Sequence, residues 1–314
     1  MLSAAREWRR GLLRAGPLGR RVELRTTGGR NGAAAARVID RPSRAMGRVA
    51  SFLDQFVVRA NVGPRSADPL AAVEPSLRRF LNEADGAACM HSSMPGRSIA
   101  ALVAGESPRY VLKIGRSDDR PLRNEAEFLK GTAGMGLSFQ VPELAYADSA
   151  GGHYVVVTHA WRHARLAGML TRDELLGITE DLATAAPGGG CLVHGDLAPW
   201  NVLRTPEGIG VIDWETATFA DQPLRDLIHY VVQAGAILRW TDVSAVAREL
   251  THPRGLVCEL ASRLGLARSQ ADEAVHAYFT GLRPVTVRQV QRFQDEVAAA
   301  AGVLPERSGQ GCDG

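Results

Sequence analysis

The sequence has 314 residues, of which 45% are hydrophobic, 6% aromatic and 23% charged. This length allows two hydrophobic cores of ordinary domain size, and the composition excludes a disordered or fibrous chain. No window approaches eighteen uninterrupted apolar residues, so we expect no membrane-spanning helix. The four cysteines are far apart and lack zinc-ligand spacing, which favours a reduced, cytoplasmic setting.

The formal net charge of +3 is unevenly distributed along the chain. Residues 1–45 contain eleven arginines and three acidic residues, a local charge of +8 that leaves −5 for the remainder. The alternatives for such a segment are a transit peptide and a nucleic-acid-binding arm, but Gly16, Pro17 and Gly19 break its helical pattern and no apolar segment follows. We therefore expect a basic, flexible extension that binds no nucleic acid and whose deletion leaves the fold and activity intact.

Short strand patterns follow two helical patterns in the first half of the chain. The helical patterns cover Val49–Arg59 and Pro69–Leu81, and a further helix is predicted at about Pro121–Lys130. The strand patterns cover Ala87–His91, Ser98–Ala104, Arg109–Gly115 and His153–Thr158. Because short turns with glycine and proline join the first three strands, we expect a β-meander.

Helical periodicity dominates the second half of the chain. Thr171 and Glu174 form a capping-box signature, and the helix that they open ends before the Ala-Pro-Gly-Gly-Gly run at 186–190. Helical periodicity returns at Leu224 and continues to about Val303. The second half therefore predicts a mostly helical structure.

This order of elements predicts an α+β fold with two lobes. A small N-terminal antiparallel sheet with one helix is followed by a mostly helical C-terminal lobe, and we expect a cleft at the connector near 159–162. The predicted divisions are the extension at 1–45, the N-terminal lobe at 46–160, the C-terminal lobe at 161–303 and a flexible tail at 304–314.

A loop after a short apolar strand, Cys191–Val193, contains residues with catalytic potential. Asn201 follows Asp196 in this loop at the D-L-x-x-x-N spacing of kinase catalytic loops. The simpler interpretation is that Asp196 caps a turn and that Asn201 forms an Asx-turn. The residues that follow favour the catalytic interpretation.

A hairpin is predicted directly after this loop. Two strand patterns, Val202–Thr205 and Ile209–Ile212, flank a short turn. The hairpin would bring Asn201 opposite Asp213, and Mg²⁺ prefers amide and carboxylate oxygens of this kind. Asp196 would then be free to orient a hydroxyl group and accept its proton.

Two segments resemble the catalytic and metal-binding motifs of the aminoglycoside phosphotransferase family, which includes choline kinases: HGDLAPWN and VIDWE. The resemblance covers about 87–230. It implies a protein-kinase-like fold, ATP and Mg²⁺ as cofactors, a catalytic base at Asp196 and magnesium ligands at Asn201 and Asp213. Glu215 matches a second acid of this motif, as a further ligand or as a group that supports the ligands.

The resemblance also implies that His194 and Asp226 support the site. Asp226 resembles a family aspartate that braces the catalytic loop from the start of a helix. The alternative is an acid that only stabilises the helix N-terminus. A choice between the two needs the three-dimensional contacts of its carboxylate.

Lys113 is one of only two lysines in the chain, the other being Lys130. Lys113 lies mid-strand in a segment that resembles the kinase strand whose lysine holds the nucleotide phosphates. On the following helix Glu125 lies within the apolar stripe and Glu127 outside it, so Glu125 is the expected partner of Lys113. A purely structural ion pair would show the same contact.

Two further segments are expected to contact the nucleotide. The turn before Ser98 contains a single glycine, Gly96, and its backbone N–H groups would reach phosphate unless it is an ordinary hairpin turn. The connector around His159 and Trp161 would meet adenine through its backbone. Both expectations depend on the resemblance.

The predicted function is transfer of the γ-phosphate of ATP to a hydroxyl group of a small molecule such as a sugar or alcohol. Only twelve residues separate Asp213 from Asp226, too few for the activation segment of a protein kinase. A catalytically silent kinase-like regulatory protein that binds nucleotide is the alternative. After Glu215 the chain has eleven acids and ten arginines, which favours a neutral or singly charged acceptor over a polycation.

Overall fold

The computed structural model of the protein describes residues 22–25, 69–84, 86–91, 97–104, 107–132, 135–185, 190–220, 222–281 and 288–303. The predicted helix at Val49–Arg59, Gly96 and the predicted tail at 304–314 lie outside these residues. The chain divides into two compact units. They are called here the sheet unit (Met1–Ala133, Gln140–Leu166 and Leu203–Glu215) and the helical unit (Gly134–Phe139, Ala167–Val202 and Thr216–Gly314).

Six strands form an antiparallel sheet in the sheet unit: β1 (Val22–Arg25), β2 (Gly86–His91), β3 (Ser98–Ala104), β4 (Ser107–Arg116), β5 (Leu144–Ala150) and β6 (His153–His159). Their order across the sheet is β1-β2-β3-β4-β6-β5, so the predicted meander of β2, β3 and β4 is confirmed. Sequence patterns missed β1, which lies in the arginine-rich segment and pairs with β2. They also missed β5, because its small and polar residues lack the β-branched character typical of strands.

Two helices pack against the sheet, α1 (Pro69–Asn82) and α2 (Arg120–Gly131). Apolar residues of α1 contact the face that contains Leu112 and Ile114 of β4. Apolar residues of α2 contact Tyr154 and Val156 of the neighbouring strand, on the other face. Because successive side chains of a strand alternate between faces, Lys113 points to the side of the sheet that α2 covers.

A second sheet has three strands: β7 (Arg165–Leu166), β9 (Val202–Thr205) and β10 (Gly208–Val211). Their order across the sheet is β10-β9-β7. The predicted hairpin is therefore confirmed, with its second strand one residue earlier than expected. Its β10 strand and the residues up to Glu215 belong to the sheet unit, although their position in the sequence is within the predicted C-terminal lobe.

The described part of the helical unit is mostly helical, as predicted. Its helices are α3 (Arg172–Thr184), α4 (Arg225–Ala236), α5 (Val243–Thr251), α6 (Leu256–Arg263), α7 (Arg268–Thr280) and α8 (Arg288–Ala300). The capping box at the start of α3 is present, with both Thr171 and Glu174 bonding as predicted. Two short antiparallel strands, β8 (Cys191–Val193) and β11 (Thr218–Ala220), complete the unit. In the described residues no helix has the length and apolar character needed to cross a membrane.

Candidate active site

The loop after β8 carries Asp196 and is shaped by the glycine before it. Gly195 adopts a φ of +82°, and a Cβ atom at this position would lie 2.8 Å from the carbonyl oxygen of Thr216. An L side chain is strained at this φ and has no room here, so only glycine fits between His194 and Asp196. The buried strand therefore ends in a sharp turn that presents the Asp196 side chain.

Asp226 holds this turn from the first turn of α4. Its Oδ2 accepts a hydrogen bond from the backbone N–H of His194 at 2.6 Å, and its Oδ1 accepts one from Gly195 at 2.9 Å. Both His194 and Asp226 are buried, so water does not compete for these hydrogen bonds. The contacts are those that the family resemblance implies for Asp226, and they go beyond those of an acid that only stabilises a helix end.

The Asp196 carboxylate is held on both oxygens and is still accessible. Asn201 donates from Nδ2 to the Asp196 carbonyl oxygen at 2.8 Å and to Oδ2 at 3.2 Å. Nε2 of His229 lies 3.1 Å from Oδ1. The side chain of Asp196 keeps 41% of its surface exposed. A fixed and accessible carboxylate is what a general base requires.

His229 is a neighbour of Asp196 that sequence reasoning missed. It lies on α4 three residues after Asp226, on the same side of the helix. Its Nδ1 is 3.0 Å from the hydroxyl oxygen of Tyr278 on α7. The available signal was a histidine inside the otherwise apolar run 227–232 of α4, which alone does not identify a partner 33 residues away.

In the sheet unit, Lys113 pairs with Glu125 as predicted. Its Nζ is 2.8 Å from both carboxylate oxygens of Glu125 and 2.5 Å from Oδ1 of Asp213. Burial lowers the pKa of Lys113, but the charges of Glu125 and Asp213 more than offset this and raise the pKa above its ordinary value. Lys113 is therefore a permanent cation between two carboxylates.

Asp213 has an unusual backbone conformation for a non-glycine residue. Its φ is +72°, in the left-handed region where side chains are strained. The residue after it, Trp214, is fully buried, stacks on Phe128 with ring centroids 4.3 Å apart, and donates from Nε1 to the carbonyl oxygen of Val211. This anchor stabilises the strained turn that carries the Asp213 carboxylate. Trp214 itself is a core residue.

Arg97 joins two carboxylates of the sheet unit and was not predicted as a site residue. It donates from Nε to Asp119 at 2.6 Å and also forms an ion pair with Glu215. Burial raises the pKa of Glu215, and the charge of Asp213 adds to this effect while Arg97 opposes it. Glu215 is therefore engaged with a cation of the protein. Its predicted role as a metal ligand stays a prediction.

The remaining predicted nucleotide contacts are placed as follows. Ser98 is the first residue of β3, and Gly96 lies outside the described residues. The backbone N–H of His159 donates a hydrogen bond to the carbonyl oxygen of Glu143 at 2.9 Å, so this N–H group already has an acceptor within the protein. Trp161 packs on β10, where the space beside Gly210 has room for no side chain.

The described residues contain no group of three or more His, Cys, Asp or Glu side chains that could hold a metal ion. Asn201 belongs to the helical unit and Asp213 to the sheet unit, so their joint role in metal binding stays a prediction.

The helical unit has a pocket of about 370 Å³ beside the start of α4 and along α7. Among the described residues that line it, the charged ones are Arg225 and Glu273, and Tyr278 forms part of its wall.

Residues 156–255 match the model of a phosphotransferase enzyme family (APH). This match includes the Asp196 loop, the hairpin and α4, and it confirms the predicted resemblance over these residues. No curated protein sequence matches the chain significantly.

Solved structures similar to this chain include three aminoglycoside phosphotransferases. The type VIII aminoglycoside-3′-phosphotransferase is 16% identical over 73% of this chain and 99% of its own, with a TM-score of 0.36. The gentamicin complex of APH(2″)-IIa is 12% identical over 77% and 100%, with a TM-score of 0.41. APH(3″)-Id from Streptomyces rimosus is 13% identical over 66% and 90%, with a TM-score of 0.40.

Proposed function

We propose that this chain is an ATP- and magnesium-dependent phosphotransferase that moves the γ-phosphate to a hydroxyl group of a small molecule. The observation that carries the proposal is the accessible Asp196 carboxylate, fixed by Asn201 in a loop that Asp226 braces. The match of residues 156–255 to a phosphotransferase family supports the same reaction class.

In the proposed reaction, the acceptor oxygen forms a bond to the γ-phosphorus while the bond from that phosphorus to the β–γ bridging oxygen breaks. ADP leaves with the bridging oxygen, and the acceptor becomes a phosphate monoester. Asp196 orients the hydroxyl group and accepts its proton. The transition state of such a transfer is loose, so positioning and charge stabilisation contribute most of the catalysis.

Lys113 would bind the nucleotide phosphates in this proposal. It is held in place by Glu125, which is buried and contacts it with both oxygens. An ammonium group that remains protonated at every physiological pH is suited to bind phosphate oxygens. The ion pair with Glu125 keeps it on the α2 side of the sheet.

Magnesium would accompany the nucleotide in this proposal, and the charge of the sheet unit near Lys113 bears on its role. Two cations and four carboxylates form two ion-pair groups with a combined formal charge of −2: Arg97 with Asp119 and Glu215, and Lys113 with Glu125 and Asp213. Asp213 and Asn201 would supply magnesium ligands, and Glu215 would supply a further one if it leaves Arg97. When bound, magnesium neutralises phosphate charge and shields the phosphates from the carboxylates.

The proposed acceptor is neutral or singly charged and binds in the pocket of the helical unit. Arg225 and Glu273 give the described lining one charge of each sign. A polycationic antibiotic needs several carboxylates for complementary charge. A volume of about 370 Å³ is within the range of small-molecule pockets.

An ADP-release assay over a panel of acceptors tests this assignment. The panel contains neutral sugars and polyols, choline-like amines and kanamycin-like aminoglycosides, each with Mg-ATP. We expect ADP release above the rate with water alone for neutral or singly charged compounds. Efficient turnover of the aminoglycosides, at kcat/KM of about 10⁴ M⁻¹s⁻¹ or more, would contradict the proposed acceptor class.

A further inference from the structure

The two hydrogen bonds to the Asp196 carboxylate have different origins in the sequence. The bond from Asn201 comes from within the same loop, five residues away. The contact with His229 comes from α4, 33 residues away. The predicted motifs assign no role to His229, and yet it touches the oxygen of Asp196 that Asn201 leaves unbound.

The direction of these hydrogen bonds follows from the chemistry of the groups. An ionised carboxylate is only an acceptor, so the contact with Asp196 places a proton on Nε2 of His229. In a neutral imidazole Nδ1 is then an acceptor, so the hydroxyl group of Tyr278, 3.0 Å away, donates to it. Burial raises the pKa of Tyr278, although Arg225 opposes this, so the phenol keeps the proton that it donates.

The surroundings of His229 leave its ring little freedom. Its side chain is 14% exposed, and it meets the ring of Tyr278 edge-on, with ring centroids 6.0 Å apart. Tyr278 is itself buried on α7. The same helix, α4, also carries Asp226, which binds the backbone of the Asp196 loop. One helix therefore fixes both the backbone of this loop and the carboxylate at its tip.

We propose that His229 is a positioning residue that fixes the rotamer of Asp196, and that Tyr278 fixes the tautomer of His229. The hydrogen bond to Oδ1 would hold the carboxylate so that its remaining lone pairs face the acceptor hydroxyl. The proton of the acceptor goes to Asp196 and not to His229, because Nε2 already carries one. This inference rests on the proposed function, since it explains how the proposed base is oriented.

Two substitutions of His229 separate orientation from packing. His229→Gln keeps an N–H group near the position of Nε2, whereas His229→Phe keeps a ring and removes the donor. The matched controls are the same two substitutions at His276, which is exposed on α7. For every variant we would measure kcat and KM for ATP from ADP release, with Mg-ATP and the best acceptor of the panel. The same assay with water alone gives the background rate. The melting temperature is measured separately.

We expect His229→Phe to lower kcat by about tenfold to a hundredfold, the range typical of losing a hydrogen-bond partner that orients a functional side chain. KM for ATP should stay unchanged, and His229→Gln should recover most of the lost kcat. Tyr278→Phe should give a smaller loss of kcat. Wild-type kcat in His229→Phe would overturn the inference. So would equal losses of kcat in both His229 variants accompanied by equal losses of melting temperature, since that pattern indicates packing alone.

The ¹⁵N chemical shifts of the His229 imidazole test the same chain of bonds without turnover. We expect a protonated Nε2 and an unprotonated Nδ1 in the wild type, and a mixture of tautomers in Tyr278→Phe. The opposite tautomer in the wild type would refute the inference. A wild type with the expected tautomer but no turnover would refute the proposed function and with it the role of His229. An active wild type and an equally active His229→Phe would refute the role of His229 alone.

Discussion

At the scale of single residues, Asp196 is the side chain on which the proposed reaction depends most. Replacing it with asparagine removes the base but keeps its shape, so kcat should fall by about 10² to 10⁴. Mg-ATP should still raise the melting temperature of this variant, because no proposed phosphate contact is lost. Asp173→Asn, an exposed carboxylate of the same unit, is the control. Near wild-type turnover in Asp196→Asn would exclude Asp196 as the base.

Variants of Lys113 and Glu125 can separate the structural role of this ion pair from its proposed role in nucleotide binding. Lys113→Met leaves Glu125 buried without its partner, which should destabilise the fold by about 3–5 kcal/mol. The double variant Lys113→Met with Glu125→Leu should regain most of this stability, because an apolar pair replaces a buried ion pair at little cost.

Nucleotide binding should not return with the stability of the double variant. Melting temperatures with and without Mg-ATP measure both properties in one experiment. Lys130→Met, at the other lysine of the chain and exposed at the end of α2, is the matched control. If the double variant shows the wild-type shift with Mg-ATP, the ion pair is structural only.

At the scale of elements, Asp119 links the start of α2 to Arg97, the residue directly before β3. It accepts a hydrogen bond from the backbone N–H of Leu122 as the N-cap of α2 and pairs with Arg97. Burial raises the pKa of Asp119, but the hydrogen bonds from Arg97 and Leu122 more than offset this and lower it below the ordinary value. A lowered pKa contributes stability that is present above the ordinary pKa of about 3.9 and is lost as the pH falls through the folded-state value.

Asp119→Asn should therefore be less stable than the wild type at neutral pH, and the difference should shrink as the pH falls below about 3.9. Asparagine is also a good N-cap, so the loss measures the charge pair with Arg97 and not the cap. Urea unfolding between pH 7 and pH 3 gives the free energies of unfolding. Asp118→Asn, whose exposed carboxylate pairs with Arg116, should have little effect. A difference that persists unchanged at pH 3 would contradict the charge explanation.

Contacts set by local periodicity were predictable from the sequence, and contacts set by packing of distant elements were not. Alternation in β4 and the helical stripe of α2 were enough to pair Lys113 with Glu125. His229 with Asp196 and Arg97 with Glu215 join segments 33 and 118 residues apart. Both contacts depend on how helices and strands pack within each unit, and a periodic sequence pattern does not predict such packing.

At the scale of the whole molecule, β1 changes what is expected of the N-terminal segment. Removing residues 1–45 also removes Val22–Arg25, which pairs with β2 at the edge of the sheet. We therefore expect this deletion to lower the melting temperature, by about 2–4 °C for each kcal/mol that the strand contributes. Deleting only residues 1–21 should leave it unchanged. Turnover should persist in both proteins, since the predicted site residues lie outside the deleted segment.

Loss of activity on deletion of residues 1–21 would contradict this expectation. Equal melting temperatures of the two truncated proteins would show that β1 contributes no stability. The measurement is thermal unfolding of the full chain and both truncations at one pH and salt concentration. The comparison of the two truncations separates residues 22–45, which contain β1, from residues 1–21.

The most direct test of the central claim is ³¹P NMR of the protein with Mg-ATP and each member of the acceptor panel. We expect a new phosphate-monoester signal that grows in step with ADP, requires magnesium, and grows about 10² to 10⁴ times more slowly with Asp196→Asn. A protein that binds Mg-ATP, as shown by its melting temperature, but forms no monoester with any member of the panel would contradict the claim and support the silent regulatory alternative.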